Sequence, residues 1–393
     1  MPEFNEISVN LKKEKSSTSI RQQASELRRK TWPSMPSTSQ KLRIVDLFCG
    51  CGGLTLGAVQ AALSLSKNPE VALAIDTARP ALEIYESNFS SISLNVLLED
   101  ITKYVAGNKF SKLNSAGDSL SASAGKIDVL LAGPPCQGNS DLNNSSRRVD
   151  PRNELYLIPT LFAKNLSPNV IIIENVPAVV HGHSNVVSRS VSRLTKLGYA
   201  CGEFRADLTA LGLPQTRRRH LLVASLLHSQ KELEALLSSI PTIKKNVPLV
   251  DFISDLEYVP NGENSIFSSA SRPSLTNKSR IDYMFDNQIF NLPNDLRPPC
   301  HRDRQHSYIS MYGRLKEEAP AQTITSGFGS MGQGRFVHPT QRRTITPHEA
   351  ARIQGFPDYF SFSSATSTTQ LRQMIGNAVA PALSFTIITK LLS

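Results

Sequence analysis

The chain alternates between short apolar runs and amphipathic stretches over most of its first 227 residues. Leu42–Phe48, Val71–Ile75, Leu94–Leu98, Ile127–Ala132 and Val170–Ile173 are short enough, and rich enough in β-branched residues, to predict buried strands. Between them, helices are expected from Gly53 to about Leu65 and over Pro80–Asn88, 153–166 and 184–197. In the last of these, Val187, Val191, Leu194 and Leu197 form one apolar stripe. Further strands are expected near 199–207 and 219–225. Strands separated by helices pair in parallel through right-handed crossovers, so the fold class is α/β, a doubly wound, Rossmann-like sheet.

Elsewhere the pattern weakens. Residues 106–126 are rich in Gly, Ser and Asn and read as a surface loop. Residues 1–40 are polar and basic, which predicts a flexible arm with at most a short helix around Ser25–Lys30. From 228 to 341 the alternation fades into Pro, Asn, Ser, Gly and Arg with short apolar pieces, as in a smaller, loop-rich domain. Order returns at Thr346-Pro347-His348-Glu349, a capping box with Pro at the first helical position, and an apolar helix is expected after Gly376-Asn377-Ala378-Val379. The expected organisation is an arm (1–40), a sheet domain (41–227 with 342–393) and an inserted domain (228–341).

Composition narrows the function. The 393 residues carry a net charge of +10, which favours a polyanionic partner. Five cysteines, an odd number without framework spacing, read as reduced thiols, and no paired Cys-x-x-Cys spacing calls for a metal. No run of 18 apolar residues and no apolar signal stretch in the first thirty residues is present, so a membrane span is not expected and a cytoplasmic location is.

The chemistry gathers where apolar runs end. Asp46-Leu47-Phe48-Cys49-Gly50-Cys51-Gly52-Gly53 joins the first strand to the first helix, where α/β sheets bind nucleotide-like ligands. Its G-x-G-G spacing departs from the dinucleotide fingerprint and argues against a pyrophosphate cofactor. Asp76 ends the second strand, placed for ribose hydroxyls, and Asp100 follows the third, placed for an adenine amino group; either acid could instead cap a helix. Pro134-Pro135-Cys136-Gln137 ends one strand and Glu174-Asn175 another. A thiol and a carboxyl group so displayed suit methylation at carbon-5 of a pyrimidine. Thiolate addition at carbon-6 makes the ring nucleophilic, and an acid bonded to N3 and the amino group steadies the charge. A base must later remove the carbon-5 proton; the chain does not identify it, and water is one answer. Gln215-Thr216-Arg217-Arg218-Arg219 would place Arg217 and Arg219 on one face of an extended segment, able to hold phosphate.

Six motifs in order, DLFCGCGG (46–53), AGPPCQGNS (132–140), ENV (174–176), QTRRR (215–219), RRTITPHEAARIQGFP (342–357) and GNAV (376–379), make the chain resemble DNA cytosine-5 methyltransferases of the bacterial modification type. The resemblance covers roughly 42–227 and 319–392. It implies S-adenosylmethionine as methyl donor, a flipped-out cytosine in double-stranded DNA as substrate, a possible cognate restriction endonuclease acting on the same site, and action as a monomer. Cys136 would be the nucleophile, Glu174 the acid, Arg219 the cytosine O2 contact and Arg217 its companion. Asp46, Phe48, Cys51, Gly53, Asp76, Asp100, Ile101, Pro135, Asn377 and Val379 would hold the cofactor, with Phe48 on the adenine. Segment 138–152 would be a moving loop, so that Gln137, Ser140, Arg147, Arg148 and Arg152 meet DNA. The inserted domain would read sequence, with Arg302, Arg304, Arg314 and Arg335, Tyr308 and Tyr312 as candidates; Thr323-Ile324 resembles an element near the base-flipping cleft. Three positions depart from the family pattern. Asn139 stands where phenylalanine is usual, Asp76 replaces a commoner glutamate, and the loop lacks a second glycine. A tRNA methyltransferase on the same scaffold and a silent DNA-binding regulator remain alternatives. Against the first stands the long variable region and the missing Cys-Phe-Thr segment, and against the second stands the intact Cys136, Glu174 and Arg219.

Overall fold

A computed structural model describes residues 20–107, 110–135, 150–182, 184–243, 246–256, 266–303 and 310–393. The chain forms two compact units. One comprises Pro33–Asp207, Arg218–Pro241 and Val379–Ser393; the other comprises Met1–Trp32, Leu208–Arg217 and Thr242–Ala378.

The first unit is built on a seven-stranded sheet of strands β1 (Lys41–Leu47), β2 (Asn68–Asp76), β3 (Val96–Leu98), β6 (Val129–Ala132), β7 (Val170–Asn175), β8 (Ala200–Asp207) and β9 (Arg218–Ser225); β4 (Val105–Ala106) and β5 (Lys112–Leu113) form a separate small ladder. The sheet order is β3-β2-β1-β6-β7-β9-β8. β1, β2, β3, β6 and β7 pair in parallel, as the alternation predicts. β9 pairs antiparallel with both β7 and β8, which strand–helix alternation alone does not foresee. Strand order reverses between β1 and β6, so the loops leaving those neighbours open the crevice where such sheets take ligands. Both faces are covered, which is why β6 and β7 read as continuous apolar runs.

The stretch 106–126, expected as a loop, contains the helix Ser115–Ala124. Asn114 caps it by accepting from Gly117 N at 3.0 Å. Its buried positions are Gly117, Ser121 and Ala124, so the helix approaches its neighbours closely and shows no large apolar stripe to betray it. A Cβ on Gly117 would sit 2.3 Å from the Tyr104 carbonyl oxygen.

In the second unit, residues 20–27 are helical, with Ile20, Ala24 and Leu27 buried at helical spacing. This part of the expected arm is therefore ordered: Gln23 donates to the Leu211 carbonyl, Asp358 N donates to the Leu27 carbonyl, and Arg28 pairs with Asp255 at 3.1 Å. Helix Leu275–Asp286 adds order within the loop-rich stretch 228–341, and helix Thr368–Asn377 lies beyond it. The Thr346 capping box forms as read: Glu349 N donates to Thr346 Oγ1 at 3.1 Å and Thr346 N to Glu349 Oε2 at 2.8 Å. A small core gathers Ile281, Met284, Leu292, Tyr312, Met331 and Val337.

Thr368–Leu392 is apolar and long enough by composition to cross a membrane, but it breaks at Ala378–Ala380 into two helices, and 56% of its most apolar window is buried.

Candidate active site

The glycine loop leaves β1 in a conformation few side chains tolerate. Phe48 has φ 60°, and Gly50 and Gly52 have φ 55° and 94°. A Cβ on Gly52 would lie 2.4 Å from the Phe89 ring, so only glycine fits there. A non-glycine residue held at positive φ carries strain of about 1–3 kcal/mol that packing must offset, a common mark of a ligand-binding turn. Asp76 holds the loop in place: its carboxylate accepts from Gly50 N at 2.8 Å and from Ala78 N at 2.9 Å. Beneath it, Asp46 is fully buried and accepts from Thr55 Oγ1 at 2.6 Å, while Thr55 meets the Tyr85 hydroxyl at 3.0 Å. The second Asp46 oxygen has no partner among the described residues. Burial pushes the Asp46 carboxyl up to about 7; the Thr55 hydrogen bond opposes this and the nearby Asp76 charge adds to it. Cys51 is buried, and burial pushes its thiol up to about 12, so it acts as a packing group and not a thiolate. Gly53 opens the following helix. Asp100 accepts from Thr102 N and Oγ1 at 2.9 and 2.8 Å, capping the turn that begins at the buried Ile101.

The loop after β6 lies beside this one. Gly133 N donates to the Leu47 carbonyl at 3.3 Å, and its position is lined by Val379 and the Phe48 carbonyl, 3.7 and 3.8 Å from where a Cβ would stand. Pro135 is half-buried. Cys136, Gln137, Ser140, Arg147 and Arg148 lie outside the described residues, as do Arg304 and Tyr308.

One strand further, Glu174 faces Leu221 across the β7–β9 pair, so Arg219, two residues along, shares its face. Arg219 Nε lies 2.6 Å from Glu174 Oε1, and both side chains are nearly covered, at 13% and 8% exposure. Charge-assisted pairing of this kind fixes the carboxylate's direction. Asn175, to which the sequence assigned no role, donates from Nδ2 to the Pro134 carbonyl at 3.1 Å and so ties the end of β7 to the backbone preceding Cys136. Its position next to Glu174 in the ENV motif was the available signal. His220, opposite Asn175, is buried and bonds Glu203 at 2.8 Å.

Arg217 does not continue the Arg219 face, because β9 starts at Arg218. It belongs to the second unit, is 4% exposed, and donates to the carbonyls of Ile324, Gly376 and Ala378 at 2.9, 3.2 and 3.2 Å. A guanidinium so enclosed braces the turn around the exposed Asn377; it is not placed to hold phosphate. Gln215 joins the brace by accepting from Ile324 N at 2.8 Å. Among the expected DNA contacts, Arg152 is exposed beside Asp150 and Arg302 beside Asp303. Arg314 is half-buried: it donates to the Pro339 carbonyl at 2.8 Å and lies 3.9 Å over the Phe285 ring.

With this geometry stands a match of residues 42–393 to the model of the C-5 cytosine-specific DNA methylases. The chain belongs to that family. It is 44% identical over 365 residues to the Type II methyltransferase M1.BsuMI of Bacillus subtilis (strain 168), covering 91% of this chain and 82% of that one. It is 28% identical over 351 residues to the Type II methylase M.HgiDII of Herpetosiphon aurantiacus, covering 86% and 92%. The structure of the Entamoeba histolytica methyltransferase EhMeth shares the fold, with a TM-score of 0.59 and 18% identity over 90% of this chain and 97% of that one. As a C-5 cytosine-specific DNA methylase, the chain is a DNA cytosine-5 methyltransferase with a Rossmann-like methyltransferase fold.

Proposed function

We propose that the chain methylates carbon-5 of a flipped-out cytosine within a specific double-stranded DNA sequence, with Cys136 as a transient covalent nucleophile and S-adenosylmethionine as donor. The observation that carries this is the Glu174–Arg219 pair at the carboxyl edge of the sheet, beside the Pro134 backbone that Asn175 holds.

The residues around the crevice fit such a cofactor. The glycine loop leaves backbone open at Gly50, where a Cβ would meet nothing within 4 Å, and a buried Asp46 oxygen lacks a partner. Phe48, Asp76, Asp100, Ile101, Pro135, Asn377 and Val379 are the residues that would hold it. Bound there, S-adenosylmethionine supplies an electrophilic methyl group.

The chain's own residues do the rest. Cytosine carbon-5 is too weak a nucleophile, so the Cys136 thiolate adds at carbon-6 and places electron density on the ring. Glu174, oriented by Arg219, accepts from the exocyclic amino group with one oxygen and, in its protonated form, delivers its proton to N3, so that the adduct stays neutral. Arg219 reaches the O2 carbonyl oxygen. Once carbon-5 carries the methyl group, its proton passes to water or another base, the thiolate leaves carbon-6, and N3 gives back its proton, which restores aromaticity. Carbon-6 is covered by stacking inside a duplex, so the base leaves the helix first. Segment 138–152, including Arg152, follows the base, and region 228–341 reads flanking sequence. The relatives' Type II names support a bacterial restriction-modification setting, in which the chain works in the cytoplasm beside an endonuclease of the same specificity.

Labelled methyl transfer into duplex DNA, with total tRNA as a parallel acceptor, tests the reading. Incorporation into duplex alone, lost with Cys136→Ala and reduced about 10²–10⁴-fold with Glu174→Gln, is the expected result. Folded protein that labels tRNA instead, or forms no covalent adduct with 5-fluorocytosine DNA, would overturn it.

A further inference from the structure

The second unit contains a cavity of about 780 Å³, large enough for a nucleotide-sized group, that no part of the proposed chemistry uses. Its polar wall includes Asn291, Lys316 and Arg335, and no carboxylate lines it among the described residues. Arg335 builds that wall: its Nη1 donates to the carbonyls of Phe290 and Arg314 at 2.8 and 2.9 Å, and its Nη2 donates to Asn291 Oδ1. Gly313, bridged to Asn291, makes room for the guanidinium; a Cβ there would lie 2.9 Å from Arg335 Cζ. With its oxygen taken by Arg335, the Asn291 amide turns its Nδ2 donors elsewhere. Phe290 adds an aromatic face, with Lys316 Nζ 5.1 Å from the ring centroid and the lysine exposed.

This wall offers donors fixed in direction and a cation. Among base edges, guanine alone presents two adjacent acceptors, N7 and O6, in the major groove; adenine and cytosine present an amino donor, and thymine a single acceptor. We propose that this cavity is a guanine-reading site for the bound DNA, with Asn291 as the specificity-determining group and Lys316 as a phosphate contact. The inference rests on the chain acting on duplex DNA, and it names which base the recognised sequence must contain beside the target.

The full-length protein is expressed with a plasmid library carrying randomised sites, and methylation is read by bisulfite sequencing. Wild type should require a G·C pair at one flanking position, and Asn291→Ala should relax that position alone by about 10–100-fold. Lys316→Ala, at an exposed position that leaves the Arg335 bonds intact, should weaken binding to all sequences alike and lower the slope of log affinity against log salt by about 1. Wild-type methylation with unchanged preference in Asn291→Ala, relaxation at an A·T pair, or an unaltered salt slope in Lys316→Ala overturns this inference and leaves the methyltransferase reading standing. Absence of methylation by wild type removes both.

Discussion

The sheet unit and the second unit satisfy their backbones in different ways. In the sheet unit, ladders pair most of the strands' N–H and C=O groups, and the charged residues of the candidate site, Asp76, Glu174 and Arg219, stand at strand ends, while Arg43, Arg189 and Arg193 serve a few loop carbonyls. The second unit has little regular ladder, so carbonyls are left over inside it, and arginines cap them. Arg217 serves Ile324, Gly376 and Ala378; Arg335 serves Phe290 and Arg314; Arg352 serves Phe252; Arg280 and Arg297 serve Leu296 and Leu292. Each guanidinium carries five donors in a rigid fork, which suits an irregular chain that must not bury unpaired acceptors. Part of the positive charge that suggests a nucleic-acid partner is therefore structural, and a basic residue in this unit has to be tested for enclosure before it is counted as a DNA contact.

The largest break in this comparison should come from Arg352. It is 1% exposed and pairs with Asp358 at 2.5 Å and Asp255 at 3.1 Å. Arg352→Ala leaves the Asp358 carboxylate with only His348, at 2.8 Å, and should cost roughly 3–5 kcal/mol in urea unfolding; a loss under 1 kcal/mol would deny the arginines their structural part. The two units should also answer pH in opposite directions. Asp46, raised to about 7, stabilises the fold while protonated, so its contribution is complete below the unfolded value of 3.8 and disappears as pH climbs through 7. Asp46→Asn should flatten that slope, by on the order of 4 kcal/mol at most. For Glu349, burial raises the carboxyl, but hydrogen bonds from Arg343 and His338 outweigh it and leave it at about 2. Its contribution is complete above the unfolded value of 4.5 and is lost as pH falls towards 2, about 3 kcal/mol that Glu349→Gln should remove. Melting temperatures of both variants from pH 3 to 8 would show the two slopes; parallel curves would refute the contrast. The smallest effect is at helix caps. Asn114→Ala and Thr346→Ala should each cost about 1 kcal/mol, and thermal unfolding that ignores either would remove that cap from the account.

What could be read from the chain follows the same divide. The parallel strands and the glycine loop were legible because continuous apolar runs and strand-end acids leave a direct mark. The helix Ser115–Ala124 was not, since Gly117, Ser121 and Ala124 bury too little to make a stripe. Helix Gln230–Ser238 carries a local signal of its own, the Ser229–Glu232 capping box, where strand–helix alternation has already faded. The antiparallel β9 was hidden because pairing direction is decided by connections and not by local pattern. Arg217 and Arg219 look alike in QTRRR, and only their surroundings separate a carbonyl brace from a partner of Glu174.

The chain passes between its two units five times, at Trp32–Pro33, Asp207–Leu208, Arg217–Arg218, Pro241–Thr242 and Ala378–Val379. Neither unit is therefore one uninterrupted stretch of gene. Exchanging residues 228–341 of one such enzyme for another's by a single splice would replace the Ile324 carbonyl that Arg217 braces while Gly376 and Ala378 stay, so a transferred reader has to bring a carbonyl to the same place.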